Sequence, residues 1–568
     1  MKNYNKNYPL NKVEPVSSIK ELMELAVKEA GDRIAFRYKD DKDIVDITYR
    51  QFSDETMYLG TALSDLGVAD RHIAMVGVNS YKWVVTYLTV LKSAGVYVPI
   101  DKEMILGDML NIINDSDSEV LFYSEKYEEG LLSSTDKMPK IKYLIGLDRK
   151  EDSADGKILS FEKLLEKGKT LYAGGDRRYA DMTSDPMALK LLVYTSGTTG
   201  TAKGVMLCEH NLVSCVYYGL QVSTVYDTSL SVLPYNHTYE AVAGLLVSLH
   251  HHSTICINDN LKNVLKNLNL FKPDFVYVVP AFAEVFYKKI WSNARSSGKE
   301  NGLKALIKVS NGLRKVGIDL RKKMFATIHN AFGGNLKKIV CGGAPIRAEI
   351  GTFFDSIGID LINGYGITEC SPLVSANRDY FNDCATVGVP LPCCQIRIDE
   401  PDEDGNGEIC VKGDIVMLGY YKQPEMTDEV LEPNGWFHTG DYGRLNEKGQ
   451  LLITGRKKNL IVLANGKNIF PEEIEGYIQA LPYVGEVVVY GHKDDFGQEV
   501  ALYAEVYMPA EKLAEYHVTN PAEQLKKDAA VAFEGLPEYK KIAKFILREN
   551  EFEKTTTNKI RRNKIVKQ

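Results

Sequence analysis

The chain has 568 residues, 44% of them hydrophobic and 26% charged, and a net charge of -7. That length exceeds what one core organises, so a large domain with subdomains is expected. The acidic balance weighs against a general nucleic-acid role, which needs a basic face. Nine cysteines scattered from Cys208 to Cys410, with no Cys-x-x-Cys pair, point to reduced cytosolic thiols rather than zinc knuckles or bridges.

Ile19, Leu22, Leu25 and Ala26 have helical spacing within 18–30, and Ser17 or Ser18 can cap that helix. Residues 34–38 and 44–49 read as a strand pair across the polar turn 40–43. A helix near 52–66, a strand over 72–78 and an apolar helix over 81–95 follow. Short strands are expected at 96–99, 120–123, 141–145 and 275–279, several of them separated by helical stretches. Such alternation predicts parallel sheets covered by helices, with ligand sites on loops at the carboxyl ends of strands. Beyond about residue 385 turn signals crowd together, at 402–407, 433–435 and 447–449, with short strands between them. A compact tail of strands and helices begins near Lys458. The expected fold is therefore α/β. It has a large N-terminal domain of parallel α/β sheets with a small β-rich subdomain (1–456), and a smaller α+β C-terminal domain (457–568). No run reaches the roughly 18 apolar residues of a membrane span. The polar start Met1-Lys2-Asn3-Tyr4 lacks the core of a secretion signal, so a cytoplasmic protein is expected, with peripheral membrane contact left open.

The apolar run Leu191-Leu192-Val193 leads into Tyr194-Thr195-Ser196-Gly197-Thr198-Thr199-Gly200-Thr201-Ala202-Lys203-Gly204. Glycines let backbone N–H groups approach an anion, hydroxyls donate further bonds, and the lysine adds a point charge. This is the chemistry of a phosphate cradle. It is not a Walker A loop, because Ala202 and Gly204 stand where that motif needs glycine and a hydroxyl residue. Three more clusters share its character. Cys341-Gly342-Gly343-Ala344-Pro345 turns at a strand end. Asn363-Gly364-Tyr365-Gly366-Ile367-Thr368-Glu369 combines an amide, a flat ring, a hydroxyl and a carboxylate, able to stack a base, bond a phosphate and hold Mg2+. Trp436-Phe437-His438-Thr439-Gly440-Asp441 places an acid on a turn. The contiguous His250-His251-His252 cannot all face one ion on a regular element and reads as a solvated turn.

Together these motifs, in order from about Ile19 to Lys564, resemble the adenylate-forming superfamily of acyl-CoA synthetases, luciferases and peptide-synthetase adenylation domains. The resemblance implies that Thr195, Ser196, Gly197, Thr198, Thr199 and Gly200 wrap the ATP phosphates, with Lys203 nearby. Gly343, Ala344 and Pro345 would line the adenine, Asn363 would bond its amino group, and Tyr365, between Gly364 and Gly366, would stack on the ring. Thr368 would touch the α-phosphate, Glu369 would hold Mg2+, and Asp441 and Arg456 would bind the ribose. His237 would stand between the acyl pocket and the reacting carboxylate. The closing segment Thr555-Thr556-Thr557-Asn558-Lys559 makes Lys559 the catalytic lysine, with Asn558 where the family usually has glycine. Lys458 falls at the family's hinge, about which the C-terminal domain is mobile, and Gly466 would border the channel of the coenzyme A thiol.

Leu233-Pro234-Tyr235-Asn236-His237-Thr238-Tyr239-Glu240, Gly366-Ile367-Thr368-Glu369-Cys370-Ser371-Pro372 and Gly455-Arg456-Lys457-Lys458-Asn459 are most similar to the long-chain fatty acyl-CoA synthetase branch. The apolar Ala241-Val242-Ala243-Gly244-Leu245-Leu246 offers no acid to hold a substrate ammonium, which favours an acyl chain over an amino acid. The expected substrates are ATP, a fatty acid and coenzyme A. The alternative is an acyl-AMP ligase that loads a separate acyl carrier protein, and a non-catalytic nucleotide-binding protein is the rival from another class.

Overall fold

The computed structural model describes residues 7–195, 202–464, 467–494, 497–554, 560–562 and 565. Its contacts divide the chain into two compact units: Met1–Ile396 with Val411–Phe437 and Gly449–Leu451, and Arg397–Cys410 with His438–Lys448 and Leu452–Gln568.

The first unit is built on two large sheets. In the eight-stranded sheet, Val96–Ile100, His72–Val76, Val120–Tyr123, Tyr143–Gly146 and Ile158–Ser160 run parallel in that spatial order. Leu189–Thr195 continues the sheet, parallel to Val96–Ile100. The chain then reverses, so that Lys203–Cys208 pairs antiparallel with Leu189–Thr195 in the register Thr195↔Lys203. The interior strands are buried along most of their length, as continuous apolar runs between helix layers should be. In the nine-stranded sheet, Ile34–Asp40, Thr254–Ile257, Thr228–Ser231, Phe275–Val278, Lys338–Cys341 and Asp360–Gly366 are successive parallel neighbours. Antiparallel strands Asp43–Thr48 and Leu373–Ala376 flank them.

The first helix, Ile19–Ala30, is capped by Ser18, whose hydroxyl accepts from the Glu21 N–H. The segment that follows His237, Tyr239–Leu246, is wound as a π-helix. Gly244 explains how the wide turn packs, since a Cβ there would lie 2.7 Å from the Glu240 carboxyl carbon. Of the histidine run, His250 ends the helix Val247–His250 and only His251 and His252 form the expected turn; the run is only partly solvated, because His250 is buried with Nε2 2.9 Å from the Glu14 carbonyl.

The second unit ends in a three-stranded sheet of Glu486–Lys493, Glu499–Tyr507 and Ile542–Arg548. Helices Pro471–Gln479 and Pro521–Ala532 close its core on Ile474, Ile478, Val489, Ala504, Val506 and Leu525. The β-rich segment forms a four-stranded sheet of Cys394–Asp399, Gly407–Gly413, Phe437–Leu445 and Leu451–Arg456. No helix among the described residues is long and apolar enough to cross a membrane. All nine cysteines are unbridged, and burial raises the thiol pKa at eight of them, to about 11 at Cys384 and about 12 at Cys215.

Candidate active site

The strands on either side of the expected phosphate loop pair antiparallel, with Thr195 opposite Lys203. Ser196, Gly197, Thr198, Thr199 and Gly200 lie outside the described residues, as do Gly466 and Lys559. The flanks of the hairpin are held firmly. Tyr194 Oη donates to Asp115 Oδ2 at 2.5 Å, and Tyr421 Oη donates to Asp117 Oδ2 at 2.7 Å. Lys422 bonds the Asp115 carbonyl at 2.5 Å and pairs with Asp117 at 2.9 Å. Burial raises the Asp117 pKa, but bonds from Lys140, Lys422 and Tyr421 outweigh it and hold the carboxyl well below the usual range. A Cβ at Gly204 would meet Leu192 at 3.0 Å and the Tyr194 ring and Tyr421 Cβ at 3.2 Å.

Gly419–Tyr420 pairs with the outer edge of Lys203–Cys208 and brings in a residue that the motifs do not name. Tyr420 places its ring 5.0 Å from Lys203 Nζ and donates its hydroxyl to Glu369 Oε1 at 3.0 Å. Lys203, Tyr420 and Glu369 are thus one contiguous group. Glu369 lies on the short 3-10 turn Thr368–Cys370, and its carbonyl accepts from the Met417 N–H at 2.9 Å. With one carboxylate oxygen engaged by the phenol, the other makes no bond among the described residues. An oxygen donor of that kind suits a hard divalent cation.

Cys341 and Asn363 are register partners on adjacent parallel strands, which sets the Gly342-Gly343 turn beside the Asn363 side chain. Gly343 has φ +83°, and Gly343, Ala344 and Pro345 are exposed. The Asn363 amide donates Nδ2 to the Thr386 carbonyl at 3.2 Å, which fixes its orientation. Its Oδ1 is buried and without a partner among the described residues, a position that otherwise costs stability. Gly366 must be glycine, since a Cβ would lie 2.1 Å from the Pro372 carbonyl oxygen.

His237 closes the turn that starts the next helix: its N–H donates to the Pro234 carbonyl, and its own carbonyl accepts from Glu240 and Ala241. Two residues on, Tyr239 Oη donates to the carbonyls of Val340 at 3.1 Å and Val278 at 3.3 Å, directly beneath Gly342. Between this helix, the helix Glu209–Val222 and the strand ends lies an apolar cavity of about 100 Å³. Cys215, Gly219, Ala243, Tyr277 and Leu373 line it, and Tyr365 and Gly342 border it. The volume is below the roughly 300–1,000 Å³ of ordinary ligand clefts, so a long occupant needs lining side chains to move.

In the second unit Asp441 and Arg456 come together on neighbouring strands, with Arg456 Nε 2.7 Å from Asp441 Oδ1. Asp441 stands within the strand Phe437–Leu445 rather than on the expected turn; its N–H donates to Thr439 Oγ1, which donates to the Ile409 carbonyl on the neighbouring strand. Lys458 is exposed on the short turn Lys457–Asn459. Asp399, Cys410 and His438 also converge here, but Arg397 pairs with Asp399 at 3.4 Å and bonds Cys410, so a resident cation already neutralises the cluster.

A large first domain of two parallel-rich sheets, a phosphate-type hairpin, and a buried amide beside a Gly-Gly turn define a nucleotide-binding enzyme of the adenylating type. The chain belongs to the family of AMP-binding enzymes: it matches that family over residues 23–421 and its C-terminal domain over 458–568. Among curated relatives it is 30% identical over 495 residues to long-chain-fatty-acid–CoA ligase 5 of Rattus norvegicus, covering 82% of this chain and 72% of that one. It is 29% identical over 477 residues to long-chain-fatty-acid–CoA ligase FadD15 of Mycobacterium bovis, covering 79% and 76%. Its fold matches that of the adenylation domain of a carboxylate reductase from Mycobacterium chelonae, with a TM-score of 0.78 at 22% identity over 97% of this chain and 90% of that one. The anthranilate CoA ligase AuaEII, solved with anthranoyl-AMP, gives 0.76 at 19% identity over 97% of both chains.

Proposed function

We propose that this chain is an AMP-forming acid–thiol ligase. It activates a fatty acid of the long-chain class with ATP, releases pyrophosphate, and transfers the acyl group to coenzyme A. Membership of the AMP-binding enzymes and the activity named for its relatives support this reading. The apolar cavity bordered by Gly342 and Tyr365 is the observation that carries it, because its apolar lining beside the buried amide of Asn363 suits the head of an acyl chain, with lining side chains moving to admit the rest.

In this reading the unpaired Asn363 Oδ1 accepts from the adenine amino group, and the ring stacks on Tyr365. Gly343, Ala344 and Pro345 form the wall opposite. His237 stands where the acyl carboxylate meets the α-phosphate, and Thr368 donates to that phosphate. The hydroxyls and N–H groups of residues 195–200 hold the β- and γ-phosphates, which leave together. Glu369, with Tyr420 bonded to one oxygen, would hold Mg2+, which supplies positive charge to the phosphates. Asp441 accepts from the ribose hydroxyls, and Arg456 orients it. When the carboxylate attacks, two anions approach each other, and the Lys559 ammonium offsets the charge that builds there. A hinge at Lys458 then exchanges Lys559 for the face carrying Gly466, where the thiol of coenzyme A enters.

The test is to incubate the protein with ATP, Mg2+ and saturated fatty acids of graded length, with and without coenzyme A. AMP, pyrophosphate and acyl-CoA in equal amounts, peaking at one chain length, are expected. Pyrophosphate without acyl-CoA would overturn coenzyme A as acceptor and favour a carrier protein. No AMP with any acid would overturn the ligase reading itself.

A further inference from the structure

The helix Glu300–Lys315 buries only Ser310. Successive residues turn by about 100° around a helix. Lys304, Lys308 and Lys315 therefore share one exposed stripe, and Ala305, Val309 and Val316 form the stripe beside it. Val309 is 56% exposed and Val316 71%. The pattern extends to both sides. Exposed Ile318 and Leu320 precede Lys322 and Lys323 of the helix Arg321–Met324, and exposed Val285 lies next to Lys288 and Lys289 on the helix Pro280–Ser296.

Residues 285–324 hold eleven lysines and arginines against two acidic residues, a surplus of nine positive charges in a chain whose net charge is -7. Arg314 and Arg321 are tied to Asp355 and are not available. Lys289, Lys299, Lys308, Lys315, Lys322 and Lys323 have no ion pair among the described residues. Exposed aliphatic side chains interleaved with unpaired ammonium groups are matched to an anionic interface.

We propose that the surface formed by these three helices docks the protein on an anionic lipid bilayer, with the valines at the headgroup boundary and the lysines on the lipid phosphates. The lysines suit this because their alkyl stems lie along apolar surface while the charge stays outside. The exposed stripes of Glu300–Lys315 contain none of the tryptophan, tyrosine or arginine that anchors protein partners. The purpose of docking rests on the fatty-acid reading, since a bilayer is where a long-chain acid accumulates; the docking itself does not.

The full chain is mixed, without ATP or fatty acid, with phosphatidylcholine vesicles that either contain or lack phosphatidylglycerol, and the bound fraction is measured by flotation. Binding confined to the anionic vesicles and reversed by salt is expected. Lys308→Glu with Lys315→Glu should lower partitioning by about tenfold or more, and Val309→Ser with Val316→Ser should lower it while keeping the lipid preference. Both variants should keep the wild-type thermal midpoint and ATP–pyrophosphate exchange with a short, water-soluble acid. Equal binding to neutral vesicles, undiminished binding by the lysine variant, or preference for soluble polyglutamate over anionic vesicles would each overturn the proposal. Failure of the ligase assay would leave this measurement standing, so the two readings fail separately.

Discussion

Asn363 and Glu240 are both buried polar side chains with opposite consequences. Thr386 keeps the bond from Asn377 Nδ2 at 2.9 Å when the Asn363 amide is removed, so Asn363→Ala leaves the local fold bonded. The loss should fall on nucleotide binding: the KM for ATP rises by about ten- to a hundredfold, the range of one buried hydrogen bond, while the thermal midpoint holds. An unchanged KM in ATP–pyrophosphate exchange would remove Asn363 from the site. Glu240 is enclosed and accepts from Ser231 Oγ at 2.5 Å, and burial pushes its carboxyl up to about 8. The folded protein holds that proton while the unfolded chain releases it near the ordinary value of 4.5, so stability falls as pH rises from about 4.5 to about 8. Glu240→Gln removes this dependence, and its advantage over wild type in urea midpoint should grow across that window and then level off. An advantage independent of pH would contradict a protonated Glu240. Asn363 is legible in the sequence because it sits in a glycine-framed motif. Glu240 is visible there only as the end of a polar run, since its burial depends on Gly244 and Ser231 from other turns of the chain.

At the scale of elements, the parallel strands are legible because each is a short, continuous apolar run. The hairpin is not. Lys203–Cys208 is an antiparallel strand that follows the loop directly, and the residues clamping it come from 115–117 and 419–422, far away in sequence. Tyr420 escapes motif reading for the same reason, because only the pairing Tyr420↔Val205 brings it to Glu369 and Lys203. The cavity is likewise a product of several elements packing together. The clamp predicts a specific effect. Tyr194→Phe with Tyr421→Phe deletes two bonds to aspartates, worth about 1 kcal/mol each, and lets the loop's base splay. The KM for ATP should rise several-fold and the thermal midpoint should fall by a few degrees. Unchanged ATP kinetics would mean that the clamp serves stability alone.

At the scale of the molecule, the C-terminal segment 458–568 carries Lys559, which in the proposed reaction serves adenylation and not thioester formation. Lys559→Ala should abolish adenylate formation while sparing transfer from supplied acyl-AMP to coenzyme A; equal loss of both half-reactions would contradict a lysine confined to the first. Near Lys458 the texture of the sequence changes from dense turns to a mixed strand and helix pattern, whereas the contacts of the fold also group Arg397–Cys410 and His438–Lys448 with the C-terminal residues. Following any movement of that segment calls for reporter dyes, and here the unbridged thiols have a practical consequence. Thiolate is the species that reacts with maleimides; six of the nine cysteines are buried, and burial raises the thiols of the half-buried Cys384, Cys393 and Cys394. The natural sequence is therefore a nearly silent background for labelling. Cysteines introduced at exposed Lys308 and Lys526 would take up dye first, without a single native thiol having to be replaced.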